Sequence, residues 1–246
     1  MAPLASPKRA IAADPEAAYE YTNKGNLIGI VTDGSAILGL GNLGALASKP
    51  VMEGKALLFK RFADLDCVDI EINAETAESF IDTVARIADS FGGINIEDVG
   101  APQCFAIEEA LRARCKVPVF HDDQHGTAIC VVAGLLNALE LQGKRLNEVK
   151  IVCLGSGAAG TATLRLLRSM GVPVANMTAV DRQGVIHAGR ENLPDYKAEF
   201  ANESRHRTLA DALRGADVFI GVSAAGLLDA ELLADVYINM TRGQEA

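Results

Sequence analysis

Short apolar segments alternate along the chain with longer segments in which apolar and polar positions share a helical spacing. The short runs predict strands, whereas the longer amphipathic or apolar segments predict helices. The predicted strands are 27–32, 67–72, 92–96, 117–120, 149–155, 177–181 and 216–222. The predicted helices are 14–24, 51–62, 76–88, 102–113, 126–141, 158–170, 209–213 and 229–234. Strands that alternate with helices in this way are typical of an α/β fold with a parallel sheet.

The strand–helix alternation restarts after a polar turn at 142–150, which indicates two domains. We predict a boundary near 121–145, with the apolar helix at 126–141 as a hinge between domains spanning 1–124 and 125–246. A chain of 246 residues is long enough to bury a core without disulfides or structural metal ions.

The composition is that of a globular protein, with 49% apolar and 22% charged residues. A net charge of −9 gives neither the basic footprint of a nucleic-acid-binding protein nor that of a protein on an anionic membrane. The five cysteines form no Cys-x-x-Cys pair, so we expect reduced thiols. The N-terminus lacks the apolar core of a signal peptide, and no apolar run approaches the roughly 18 residues of a membrane span. These features predict a cytoplasmic protein.

Two Gly-x-Gly-x-x-Gly motifs occur, and their surroundings distinguish them. A dinucleotide site needs a strand before the motif, a helix after it, and an acid at the end of the next strand. The motif at 155–160 meets each requirement, because the next strand ends at Asp181. The motif at 39–44 does not, because Pro50 interrupts the following helix; it predicts a glycine-rich loop near a catalytic lysine. The predicted cofactor-binding residues are Gly155, Ser156, Gly157, Ala158, Ala159, Gly160, Asp181 and Arg182.

The choice between NAD and NADP is open at this level. Asp181 is suited to the adenosine ribose hydroxyls, which favours NAD. Arg182 is the next residue in the chain. It could bind the 2′-phosphate of NADP, or it could be a solvated turn residue.

Two acidic pairs follow two predicted strands. Glu97 and Asp98 come directly after 92–96, and Asp122 and Asp123 come directly after 117–120. Ligands of parallel sheets bind outside the carboxyl ends of the strands, so these pairs can converge. Carboxylate oxygens suit Mg²⁺ or Mn²⁺, although each pair alone could be an ordinary solvated loop or a helix cap.

Two histidines flank the second acidic pair. His121 and His125 are four positions apart and could bind zinc on one helical face, but no third soft ligand is placed nearby, so packing or hinge roles are favoured.

Lys55 lies on a largely apolar helix, where a lowered pKa would suit a general base. The ordinary alternative, a surface lysine with an extended stem, is favoured by the residues alone.

Several strings, taken in order, resemble the bacterial type of malic enzyme, the decarboxylating malate dehydrogenase. They are GNLIGIVTDGSAILGLGNLG, KPVMEGKALLFKRFA, FGGINIEDVGAP, VPVFHDDQHGTA, GSGAAG, YKAEFA and GADVFIGVSAAG, within about 10–235. The resemblance implies an N-terminal domain of the malic-enzyme type and a Rossmann-like NAD(P)-binding domain that lacks its last strands.

The resemblance also implies roles for individual residues. Lys55 matches the family's general base, and Asp122 matches the acid beside that lysine. Glu97, Asp98 and Asp123 match the ligands of Mg²⁺ or Mn²⁺. The implied reaction converts malate to pyruvate and CO₂, with hydride transfer to NAD or NADP, and the implied assembly is a homodimer.

The chain departs from the family pattern at both ends. No tyrosine stands before AIAADPE, where the family has its general acid, and YINMTRGQEA replaces the Asn-Pro segment near the C-terminus. We therefore expect a chain truncated at both ends, with impaired activity. The alternative is a catalytically inactive module that binds dinucleotide or pairs with another subunit. A metal-independent dehydrogenase of another family is disfavoured by the carboxylate pairs.

Overall fold

The computed structural model describes residues 5–223 and 226–228. The chain divides into two compact units, Met1–Asp122 and Asp123–Ala246. Each unit contains a four-stranded sheet with helices between its strands. The predicted α/β class is therefore confirmed.

The first unit contains a fully parallel sheet. Its helices are α1 (Ala5–Ala13), α2 (Ala18–Tyr21), α3 (Ala45–Ala63), α4 (Ala77–Ile87) and α5 (Gln103–Arg114). Its strands are β1 (Leu27–Thr32), β2 (Asp66–Glu71), β3 (Gly93–Ile96) and β4 (Val119–His121). The strand order is β2-β1-β3-β4, and Ile28 of β1 is paired with Cys67 on one side and with Gly93 on the other. Because all pairs are parallel, the carboxyl ends of these strands lie at one edge of the sheet.

Two predicted helices of the first unit differ markedly from the structure. Helix α3 begins at Ala45 and continues through Pro50, so the prediction that this proline interrupts the helix is wrong. Proline removes one main-chain hydrogen-bond donor, but the turns on either side of it keep this 19-residue helix intact. The predicted helix at 14–24 is a 3₁₀ turn (Pro15–Ala17) followed by the short α2, and Asp14 caps the turn by accepting a hydrogen bond from the main-chain N–H of Glu16.

The second unit begins with a long helix and contains the second sheet. Its helices are α6 (Asp122–Leu141), α7 (Ala158–Ser169), α8 (Asp195–Ala198) and α9 (Leu209–Leu213). Its strands are β5 (Ile151–Leu154), β6 (Met177–Asp181), β7 (Gly184–Val185) and β8 (Val218–Gly221). The order is β7-β6-β5-β8, and the two-residue β7 pairs antiparallel with β6. The predicted helix at 229–234 lies outside the described residues.

The cores lie around the sheets. In the first unit, Ile30, Val31 and Ile96 of the central strands are fully buried. In the second, Ile151 and Cys153 of β5 pack with the helices. All five cysteines are free thiols. Among the described helices, none combines the length and hydropathy that crossing a membrane requires.

Candidate active site and dinucleotide loop

Lys55 of α3 lies between two carboxylates of the first unit. Its Nζ is 3.0 Å from Oε1 of Glu97 and 2.8 Å from Oδ2 of Asp122. Glu97 follows β3, and Asp122 follows β4, so the sheet edge brings together residues that are 25 positions apart along the chain. The Lys55 side chain is 22% exposed and is therefore held by these partners rather than extended into solvent.

The pKa of Lys55 is raised in this structure, whereas a general base would need a lowered pKa. Burial would lower the pKa of the ammonium group, but the hydrogen bonds and charges of Asp122 and Glu97 outweigh it and raise the pKa. Two nearby opposite charges favour the protonated form. In this state Lys55 is an ammonium ion, so a role as a base requires that its proton first leave through a neighbour.

Three carboxylates meet beside this lysine. One oxygen from each of Glu97, Asp98 and Asp123 lies within 4.8 Å of the other two. Glu97 and Asp98 are buried, with 5% and 3% exposure. Asp98 has a φ of 53°, a left-handed conformation that turns the chain sharply after β3. Oxygen ligands at such separations fit a divalent cation with a preference for hard donors.

The two aspartates of the second acidic pair differ in position from the prediction. Helix α6 begins at Asp122 rather than at 126, so both aspartates lie in its first turn. Unpaired N–H groups and the helix dipole favour carboxylates there. In the described part of the chain, the group of residues able to hold an ion contains neither His121 nor His125, so the geometry gives the zinc reading no support.

The second glycine motif has the geometry of a dinucleotide loop. Gly155 follows β5 with a φ of 110°, and Gly160 lies in the first turn of α7. A Cβ at Gly160 would lie 1.7 Å from the carbonyl oxygen of Gly155, whereas a Cβ at Gly157 would meet nothing within 4 Å. The first glycine permits the turn, the last permits close packing, and Gly157 leaves open space for a phosphate group.

Polar groups beside this loop also fit a ligand. Within the described residues, the buried hydroxyl groups of Ser156 and Thr161 have no hydrogen-bond partner. Buried hydroxyl groups without partners are costly, so a ligand that supplies acceptor oxygens would satisfy them. Ala158 and Ala159 open α7, whose N-terminus favours anions.

Asp181 ends β6 at the same edge of the second sheet, and its carboxylate accepts hydrogen bonds from two basic side chains. Arg190 donates to its two carboxylate oxygens at 2.9 and 3.1 Å, and Lys197 donates to Oδ2 at 2.7 Å. Burial would raise the pKa of the Asp181 carboxyl, but these hydrogen bonds outweigh it and lower the pKa to about 2. Arg182 is exposed on the adjacent turn.

This low pKa predicts a contribution to stability that depends on pH. The folded-state pKa lies below the ordinary value, so the ionised carboxylate stabilises the folded unit above about pH 4. We expect Asp181→Asn to lower the free energy of unfolding by about 1 kcal/mol near neutral pH, a figure reduced for solvent screening. The difference should shrink as pH falls from about 4 to about 2. Urea unfolding across that range would measure it, and a constant difference would contradict the assignment. Glu53→Gln, at an exposed position of α3, is the control.

Sequence reasoning missed three residues that contact the predicted site residues. Asn95 donates a hydrogen bond to Glu97, and a polar residue inside the apolar strand at 92–96 was an available signal. Arg190 and Lys197 lie 9 and 16 positions beyond Asp181. No local pattern marked Arg190, and the string YKAEFA, which contains Lys197, indicated no role for that lysine.

A separate cavity of about 440 Å³ lies in the second unit and includes Ile151 and Thr178, near the starts of β5 and β6. None of the predicted site residues lines it. The dinucleotide loop follows the other end of β5, so this cavity is not part of the loop site.

Two family models match consecutive parts of the chain. The model of the malic enzyme N-terminal domain matches residues 9–79, and the model of the malic enzyme NAD binding domain matches residues 124–242.

Curated relatives are similar over almost all of the chain. The NADP-dependent malic enzyme of Halomonas elongata is 61% identical over 93% of this chain, and the NAD-dependent malic enzyme of Rhizobium meliloti is 53% identical over 94%. These alignments cover 54% and 30% of the relatives, so the chain spans about half of their length or less. The crystal structure of an NAD-dependent malic enzyme from Thermotoga maritima matches with a TM-score of 0.90 and 45% identity, over 96% of this chain and 63% of that one.

Proposed function

The chain belongs to the malic enzyme family, as its motifs predicted, and we propose that it oxidises malate and releases CO₂ to form pyruvate. The observation that carries the proposal is the cluster in which Lys55 is paired with Glu97 and Asp122 beside a three-carboxylate group. A cation site next to a lysine suits a 2-hydroxy acid, because the hydroxyl group must lose a proton while hydride leaves its carbon.

Glu97, Asp98 and Asp123 would hold Mg²⁺ or Mn²⁺, and the loop at 155–160 would hold the dinucleotide. When bound, the cation supplies positive charge beside the hydroxyl group and carboxylate of malate, and the dinucleotide supplies a hydride acceptor. The close approach of three carboxylates and the unsatisfied hydroxyl groups of Ser156 and Thr161 support this fit.

Lys55 and Asp122 would move the proton. Nζ of Lys55 lies 2.8 Å from Oδ2 of Asp122, so this carboxylate can take the proton of the ammonium group. The Asp122 side chain is 35% exposed, so it connects the partly buried lysine to water. The neutral amine of Lys55 would then accept the malate hydroxyl proton as a general base. Glu97, on the other side of Lys55, keeps Nζ in place through an ion pair.

The purified chain can be tested with malate and Mn²⁺ in the presence of NAD or NADP, with reduced dinucleotide and pyruvate both measured. Formation of both products supports the proposal. Reduced dinucleotide with oxaloacetate but no pyruvate would restrict the chain to oxidation. Dinucleotide binding without either product would contradict the proposed activity and leave the alternative of a binding module.

We further propose that NADP is preferred over NAD. Asp181 would repel a 2′-phosphate if its charge were free, but Arg190 and Lys197 compensate that charge, and together they leave one excess positive charge. A phosphate group can share these donors, because charge-assisted hydrogen bonds from Arg and Lys favour it. The names of the relatives support either cofactor, since both NADP-dependent and NAD-dependent malic enzymes are similar to this chain.

Lys197→Ala should weaken NADP binding about tenfold, the effect of losing one charge-assisted hydrogen bond, while NAD binding changes little. Calorimetric titration of both dinucleotides measures this difference. Lys150→Ala is a matched control, because this exposed lysine precedes β5 at the other end of the strand from the glycine loop. An equal loss for NAD and NADP would contradict the preference.

A homodimer is also proposed, and exposed apolar side chains in the first unit support it. Leu38, Leu46 and Phe62 are 92%, 83% and 81% exposed, which is costly in a monomer. Light scattering on the assayed sample decides between one and two chains per particle.

A further inference from the structure

Asn95 is a buried polar residue within an otherwise apolar strand. It is 3% exposed, and the other residues of β3 are glycine and isoleucine. Burying an amide is unfavourable unless it is hydrogen-bonded. Its Nδ2 donates to Oε2 of Glu97 at 2.8 Å, two residues along the chain, where side chains of an extended segment point to the same face.

The two oxygens of Glu97 therefore have different partners. Oε2 accepts from Asn95, and Oε1 lies 3.0 Å from Nζ of Lys55. The terminal torsion of a glutamate is broad, so each donor that meets the carboxylate restricts its plane. Asn95 is such a donor, and it is fixed to a central strand of the sheet.

We propose that Asn95 is a positioning residue that fixes the plane of the Glu97 carboxylate. In this plane Glu97 contacts Lys55 and still presents an oxygen to the cation that Asp98 and Asp123 share. The part that concerns the cation rests on the proposed function, whereas the orientation of Glu97 is a property of the chain itself.

Asn95→Leu is the main test, because leucine has a similar size, suits a buried strand and cannot donate. We expect Mn²⁺ affinity, measured by calorimetry, to fall about 10- to 100-fold, the usual effect of removing a group that orients a metal ligand. Metal-free crystal structures should show the Glu97 carboxylate rotated away from its wild-type plane. Asn95→Ala is the second variant, with the same expected result, should the larger side chain disturb folding.

Ser48→Ala is the matched control. The hydroxyl group of Ser48 is fully buried in α3 and donates to the carbonyl oxygen of Ala45, so its loss removes a buried hydrogen bond that does not involve Glu97. This control should keep its Mn²⁺ affinity within about twofold of the wild type, since it leaves the groups that orient the metal ligands intact.

The crystal comparison separates this inference from the proposed function. An unchanged Glu97 plane and Lys55 contact in Asn95→Leu would overturn the positioning role, as would Mn²⁺ affinity equal to that of Ser48→Ala. If the wild-type chain binds no Mn²⁺, the proposed cation site fails. A rotated Glu97 in the variant would still support the positioning role in that case.

Discussion

Lys55→Ala is expected to reduce malate-dependent formation of reduced dinucleotide by at least about 100-fold, the usual contribution of a general base. The alanine side chain can neither accept the hydroxyl proton nor pass one to Asp122, which lies 2.8 Å from Nζ. Dinucleotide affinity should stay nearly unchanged, because the glycine loop belongs to the second unit. Stopped-flow absorbance of the reduced nicotinamide, with calorimetric titration of the dinucleotide, measures both quantities.

Lys60→Ala provides the control on the same helix. Lys60 is 52% exposed and pairs with Asp64 and Asp66, which are not among the predicted site residues. We expect its turnover to match that of the wild type. Full turnover in Lys55→Ala would remove Lys55 from the role of base and would leave Asp122 or solvent to accept the proton.

Gly160→Ala is expected to destabilise the second unit strongly and to abolish dinucleotide binding. The added Cβ would lie 1.7 Å from the carbonyl oxygen of Gly155, so either β5 or α7 must move. Such overpacking costs about 3 kcal/mol or more when main-chain atoms are involved. For a unit of this size the melting temperature should fall by about 10 °C or more. Differential scanning calorimetry measures this change.

Gly157→Ala separates binding from folding. Gly157 has a φ of −86°, which alanine adopts readily, and a Cβ there would meet nothing within 4 Å. The melting temperature should therefore change little, while dinucleotide affinity falls at least about tenfold, because the Cβ occupies the space through which pyrophosphate approaches the main chain. Unchanged affinity in Gly157→Ala would contradict the assignment of the loop to dinucleotide binding.

Most of the fold could be predicted from local pattern. Strands such as 27–32 and 177–181 are apolar, short and separated by helical segments, and the structure confirms both with the same limits. The start of α6 could not be predicted, because its first turn is polar and follows β4 without a loop. The sequence also did not predict that α3 continues through Pro50. Proline disfavours a helix locally, but the rest of this long helix outweighs that preference.

The candidate site was predictable only where topology alone brings residues together. Acidic residues after β3 and β4 had to reach one sheet edge, because neighbouring parallel strands end there. The raised pKa of Lys55 depends on two distances across the fold, and no spacing in the sequence contains them. The contacts of Arg190 and Lys197 with Asp181 depend likewise on the path of the chain beyond β7.

The outer strands of the first sheet also affect how the protein behaves at high concentration. An exposed strand edge can recruit a strand from another molecule and start aggregation. Here β2 has carboxylates at Asp66, Asp69 and Glu71, and β4 is only three residues long. Lys49 pairs with Asp69 and Glu71 and places an ammonium group beside the same strand. Charges along one edge and a short strand at the other discourage intermolecular β-pairing of the sheet that carries the candidate active site.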